Sequence, residues 1–192
     1  KGYTVFTDNV DGSGEKEGVY YQYFDADLGR PVVNEGEDGL QKLDYALYKA
    51  EQEGIKLLIT FTNNWEAFGG MGQYVQWAKL AGENVSGHDD FYTNETIKGW
   101  YKDYIKTLLN HENVYTGVKY KDDPTIFSWE LANEPRCESD AGCENNTVVK
   151  WATEMSAYVK SIDDNHMLAV GDEGFYNYGY NDFPEGDHKY VY

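Results

Sequence analysis

Ile55-Lys-Leu-Leu-Ile-Thr-Phe61 is apolar along nearly its whole length, with Gly54 before it and the polar cluster Thr62-Asn-Asn-Trp65 directly after it. A short run of this kind reads as a parallel strand buried on both faces. Upstream, Leu40, Leu43, Leu47 and Ala50 recur at helical spacing, and Gly54 is the expected stop. Downstream lies a long connection, roughly 62–92, rich in Gly, Asn and aromatics, with a short helix expected near Gln73–Lys79. Loops of this length are usually functional or disordered, and Trp65, Phe68, Tyr74 and Trp77 argue for order. A second helix is expected over about 95–109, with Ile97, Tyr101, Ile105 and Leu108 on one stripe and Thr93 or Asn94 as its cap. Pro124-Thr-Ile-Phe-Ser-Trp-Glu-Leu-Ala132 reads as the next strand, Val148, Trp151, Met155, Val159 and Ile162 as a third helix, and Met167-Leu-Ala-Val170 as the following strand. Alternation of this kind implies parallel strands joined by right-handed helical crossovers. A doubly wound sheet and a barrel both satisfy it. No Gly-x-Gly-x-x-Gly follows any strand, which weakens the dinucleotide-binding version. Residues 1–38 are polar and Gly-rich, and only Val19–Phe24 has strand-like composition there. Without a repeat or linker, residues 1–192 read as one domain.

The 16 Lys and Arg against 34 Asp and Glu leave a formal net charge of -18. That surface repels nucleic acid and anionic lipid, and leaves a neutral polymer such as a polysaccharide free of electrostatic conflict. Aromatics are 16% of the residues, with 18 Tyr and 5 Trp, enough for core packing and for lining a sugar cleft alike. No run of 18 apolar residues occurs, so no membrane-spanning helix is expected, and no signal peptide is visible at Lys1. Cys137 and Cys143 flank a short loop containing Gly142, which can close into a disulfide, whereas a Cys pair without nearby His is a weak metal signal. With the sequons at Asn84, Asn94 and Asn145, the pair favours a secreted, oxidising setting.

Each strand ends in a polar cluster: Thr62-Asn-Asn-Trp65, Asn133-Glu-Pro-Arg136 and Gly171-Asp-Glu-Gly174. In parallel α/β folds the C-terminal strand ends form the ligand face. Trp65, Asn133, Glu134, Arg136, Asp172 and Glu173 are thus expected to face one cleft. Glu134 stands out. Pro135 donates no backbone hydrogen bond and biases the residue before it toward extended backbone, which would hold the carboxyl at the strand's rim. The competing reading is a surface glutamate paired with Arg136. His88-Asp89-Asp90 suggests either a metal site or a polar loop with a capping aspartate, and the loop is favoured. Trp100, Trp129 and Trp151 are expected in the core, and Trp77 in the core or the cleft. Tyr176, Tyr178 and Tyr180 form a Tyr/Gly-rich loop that could border the cleft.

Ser128-Trp-Glu-Leu-Ala-Asn-Glu-Pro-Arg-Cys137 resembles the signature around the acid/base of glycoside hydrolase family 5, and its longer Glu-Pro-Arg-Cys form looks like the fungal-type endo-β-1,4-mannanases. Asn63-Asn-Trp65, Phe68-Gly-Gly-Met71, His88-Asp-Asp-Phe-Tyr-Thr93, Asp122-Asp-Pro-Thr-Ile-Phe127 and Gly171-Asp-Glu-Gly174 follow in family order, so the resemblance covers about residues 19–175. It implies a (β/α)8 TIM barrel represented by about its second to fifth βα units. It implies retaining endo-hydrolysis of β-1,4-mannan, or a β-1,4-glucanase of the same family, or a carbohydrate-binding fragment without turnover. Glu134 would be the acid/base. Asn133 would bond the substrate's 2-hydroxyl, Trp65 would stack on a mannosyl ring, Arg136 would contact sugar on the leaving-group side, and Glu173 would bind substrate. Cys137 and Cys143 correspond to a disulfide loop. The family's nucleophile, a second Glu ending the seventh strand, has no counterpart here, nor has the active-site Arg of the second strand. Retaining chemistry needs two carboxyls about 5–5.5 Å apart. Glu173 and Glu130 are the bottom-up candidates for the second, and neither is assigned. No metal or cofactor is implied. The expected setting is a secreted, extracellular monomer acting on mannan, with no nucleic-acid or membrane partner.

Overall fold

The structure is a computed structural model that describes the backbone of residues 2–6 and 10–11, and residues 19–66, 69–138, 143 and 146–173. Tyr176, Tyr178, Tyr180 and the Asn145 sequon lie outside the described residues, as does Phe68. Four parallel strands form the main sheet in the order β1 (Gly2–Phe6), β5 (Lys56–Thr60), β6 (Ile126–Glu130) and β7 (Met167–Ala169). A small second sheet holds β2 (Val10–Asp11), β3 (Gln22–Asp25) and β4 (Arg30–Val33), the last two as an antiparallel hairpin. The helices are α1 (Leu40–Gln52), α2 (Gly70–Leu80), α3 (Asp90–Thr93), α4 (Glu95–Asn110) and α5 (Thr147–Ile162).

The main sheet keeps chain order from edge to edge. Successive right-handed crossovers that all step the same way put every helix on one face, which is the winding of a barrel rather than of a doubly wound sheet. The strand Gly2–Phe6 corrects the expectation that only Val19–Phe24 is strand-like among the first 38 residues. Its Tyr, Thr, Val and Phe suit a strand, but the polar, Gly-rich surroundings dilute that signal, and pairing with β5 decides the matter.

The other elements form where their patterns put them. The stripe Leu40, Leu43, Leu47 and Ala50 is the buried face of α1, and Gly54 ends it at φ 64, a value glycine adopts without a Cβ clash. Asn94 caps α4, its side chain accepting from Ile97 N at 3.0 Å. The short helix expected near Gln73–Lys79 extends over Gly70–Leu80, and Trp77 lies in the core. One continuous core joins the helix-facing side of the sheet to the helices. Phe61 stacks on Trp129 at 5.2 Å, and Trp129, Trp151, Tyr101 and Leu47 are fully buried. Cross-strand partners Thr60 and Glu130 turn to the other side, where the glutamate accepts the threonine hydroxyl at 2.7 Å. Among the described residues no helix is long and apolar enough to cross a membrane.

Candidate active site

The pairing of β5 with β6 runs on past both strands. Asn133 N donates to Thr62 O at 2.9 Å, Asn64 N donates to Asn133 O at 3.0 Å, and Asn63 bridges Asn133 in parallel. Two polar segments that would otherwise diverge therefore leave the sheet side by side. The consequence is a direct contact between their side chains: the Trp65 indole N–H donates to Glu134 Oε2 at 2.5 Å. The Arg136 guanidinium lies over the same indole, 5.0 Å from its centre, and binds both carboxylate oxygens of Glu173, which follows β7. Asn133 gives one amide hydrogen to Asn63 Oδ1 at 3.0 Å, and an NH2 group carries a second. Trp65, Asn133, Glu134, Arg136 and Glu173, drawn from three consecutive strand ends, thus form one cluster. Asp172 is exposed on the segment that carries Glu173. The competing pairing of Glu134 with Arg136 is answered as well, since the guanidinium binds Glu173 and lies 4.0 Å from Glu138, while Glu134 is held by Trp65. The guanidinium covers one face of Trp65, whose residue surface is still 42% exposed.

The backbone under Glu134 departs from expectation. Instead of the extended form favoured before proline, Glu134 has φ 52, in the left-handed region. Such a conformation costs of order 1–3 kcal/mol and persists only where neighbours over-determine it. They do so here. Glu134 N donates to Gly171 O at 3.0 Å, and Ala132 N donates to Val170 O at 3.2 Å, so the segment is clamped to the end of β7. The clamp is close: a Cβ on Gly171, at φ 91, would lie 1.8 Å from Ala132 O.

A supporting layer holds these groups, and most of it escaped the sequence reading. Asn63 Oδ1 also accepts from Trp65 N at 3.2 Å, and Asn64 Oδ1 accepts from Arg136 N at 3.2 Å. Gly70 opens α2 so near the loop that a Cβ would lie 2.3 Å from Trp65 O. Tyr101 OH donates to Leu131 O at 2.5 Å. Asn-Asn-Trp and Gly-Gly were visible as motifs, but nothing in one sequence says which carbonyl each side chain meets. Cys137 and Cys143 form a disulfide. Asp90 caps the loop, accepting from Gly87 N at 2.9 Å and from Ser86, which supports the polar-loop reading of His88-Asp89-Asp90. Asp89 lies close to Cys137 and Cys143, but sulfurs joined to each other offer no thiolate to a metal.

Of the two candidate second carboxylates, Glu173 is tied to Arg136 and Glu130 to Thr60. Burial pushes the Glu130 carboxyl above its ordinary value, offset in part by the Thr60 hydroxyl. Neither is assigned as nucleophile. A hollow of about 500 Å³ lies among Lys56, Ile126, Phe127 and Met167, at the opposite, N-terminal ends of the strands, and has no part in this cluster.

The family described as GH family 5 beta-mannosidase-like matches residues 30–188. The chain is 50% identical over 143 residues to mannan endo-1,4-beta-mannosidase 1 of Oryza sativa subsp. japonica, covering 74% of this chain and 33% of that protein. It is 53% identical over 140 residues to mannan endo-1,4-beta-mannosidase 7 of Arabidopsis thaliana, covering 73% and 32%. Among solved structures it is similar to the endo-1,4-beta-mannanase of Rhizomucor miehei, with TM-score 0.85 and 42% identity over 99% of this chain and 52% of that one. It is also similar to an endo-1,4-beta-D-mannanase of Thermotoga petrophila, with TM-score 0.78 and 44% identity over 97% and 51%. The chain thus spans about a third of the length of the curated relatives it matches.

Proposed function

Because this chain belongs to glycoside hydrolase family 5, in its β-mannosidase-like group, and its sheet is an arc of the (β/α)8 barrel, we propose that it carries the acid/base half of an endo-β-1,4-mannanase site. Glu134 protonates the leaving glycosidic oxygen, then takes a proton from the water that releases the glycosyl-enzyme. The Trp65–Glu134 contact is the observation that carries this reading, because it fixes one carboxylate oxygen beside an indole that remains 42% exposed and leaves the other oxygen to carry the transferred proton. Asn133 bonds the 2-hydroxyl of the sugar at the cleaved bond. Trp65 stacks on a mannosyl ring with the indole face that Arg136 leaves open. Arg136, aligned by Glu173, contacts sugar on the leaving-group side, and Glu173 borders the same subsite. The attacking carboxylate comes from a strand outside the described sheet.

The test uses this chain within a complete barrel. Glu134→Gln keeps shape and removes the proton, so mannan hydrolysis should fall by about 10³-fold or more with little change in mannan affinity. Near-normal turnover in that variant would overturn the assignment. Sugar release from mannan against soluble cellulose separates a mannanase from a glucanase. Secretion as a glycoprotein is part of the same proposal, supported by the disulfide and the exposed Asn84 sequon.

A further inference from the structure

His88 belongs to none of the groups placed against substrate above, yet it joins the loops that carry them. One ring nitrogen, Nε2, is 2.9 Å from Asn64 O, the carbonyl just before Trp65. The other, Nδ1, is 3.1 Å from Asp89 Oδ1. Both partners are acceptors, so both contacts are hydrogen bonds only when both nitrogens carry a proton. Asp89 is buried, and its second oxygen accepts from Glu138 N at 3.1 Å, in the disulfide loop that follows Arg136. The neighbouring Cys143 sulfur, 3.3 Å from that oxygen, is in the disulfide and has no proton to give. His88 and Asp89 therefore form a bridge from the Trp65 segment to the Arg136 segment, outside the sheet and independent of the β5–β6 pairing.

We propose that His88, in its doubly protonated form, is a positioning residue that holds the Trp65 loop and the Cys137–Cys143 loop together and so shapes the leaving-group side of the cleft. The inference rests on the function proposed above. Among the described residues the groups facing the ring are Asn64 O from the loop after β5, Asp89 from its own segment, Glu138 from the loop after β6, and the Tyr92 ring 6.3 Å away on α3. Burial alone lowers the basicity of the imidazole, but the bonds to Asp89 and Asn64 O and the charges of Asp89 and Glu138 outweigh it, so its pKa is raised. The sign follows. The bridge is complete below the ordinary imidazole value of about 6.5 and is lost as pH rises through the raised one. Loss of the Nδ1 proton turns a lone pair toward a buried carboxylate, which is unfavourable.

The experiment compares the wild-type chain with His88→Gln, both within a complete barrel, measuring kcat and KM on long manno-oligosaccharides from about pH 5 to pH 9. Wild-type KM should rise about 3- to 10-fold through the upper part of that range beyond any change in His88→Gln, whose amide does not titrate. kcat should be altered far less than KM. Asp89→Asn should give the same loss of pH dependence, and nuclear magnetic resonance of the His88 ring should report a proton held above pH 6.5. Parallel KM–pH curves in the wild type and His88→Gln, or a ring that titrates below 6.5, would overturn the inference while hydrolysis itself persists. Absence of hydrolysis in the wild type would instead overturn the proposed function, and the ring titration still decides whether the bridge is protonated.

Discussion

Glu134 occupies backbone that glutamate seldom adopts, and the reason lies in a residue 37 positions away. At φ 52 its amide points to Gly171 O, and Gly171 reaches that spot only because it lacks a side chain. Gly171→Ala would force a methyl to within 1.8 Å of the Ala132 carbonyl, at a φ of 91 that alanine resists. The expected outcome is a loss of more than about 2 kcal/mol of stability, read from urea midpoints, together with lower activity because the Glu134 amide loses its anchor. A variant within about 0.5 kcal/mol of the parent would show that the clamp relaxes freely. The motif Asn-Glu-Pro announces the carboxylate but not this conformation. The preference of a pre-proline residue for extended backbone pointed the other way, and a hydrogen bond from the neighbouring strand end overrode it.

Elements in this chain are joined through buried charge as well as apolar contact. Asp44 on α1 is fully buried and accepts from Tyr120 OH at 2.5 Å, while His111, after α4, lies 3.1 Å from Asp44 through Nε2 and from Glu35 through Nδ1. Three separate segments meet at one imidazole. Burial taken alone lowers its pKa, but the hydrogen bonds and charges of Asp44 and Glu35 outweigh this and raise it. The folded state thus holds a proton that the unfolded chain releases at about pH 6.5. Stability from this group is complete below that pH and declines as pH rises through the raised value. Urea midpoints should therefore fall between pH 6 and pH 9, and His111→Gln should lose about 3 kcal/mol at pH 6 and show a flatter pH dependence. An unchanged slope in the variant would assign the decline to another group. The helix stripe of α1 was legible in the sequence because Leu40, Leu43, Leu47 and Ala50 keep a 3.6-residue period. Asp44 sits within that stripe and carries no local sign that it is buried with partners 67 and 76 residues on.

At the scale of the whole molecule, the helices among the described residues cover one side of the sheet only. Phe127 and Met167, 56% and 52% exposed, lie on strands β6 and β7 at the hollow by the N-terminal strand ends, and among the described residues β1 and β7 are the outer strands. Exposed apolar residues beside unpaired strand edges favour association. The chain by itself should bind a dye such as ANS and aggregate at micromolar concentration, whereas a protein carrying it within a closed barrel should do neither. A chain that stays monomeric and dye-free would mean that other segments cover these residues and edges. Local physics accounts for much that needs no structure: the alternating βα pattern, the three helix stripes, a cap at Thr93 or Asn94 and the polar clusters at strand ends all follow from periodicity and turn chemistry within a few residues. The tertiary structure alone decided that the strands wind one way, that Gly2–Phe6 joins them, that Glu134 bends into left-handed backbone, and that His88 and Asp89 span two loops. Those outcomes depend on groups distant in sequence coming within hydrogen-bond range, and a one-dimensional pattern carries no record of which carbonyl a side chain will meet.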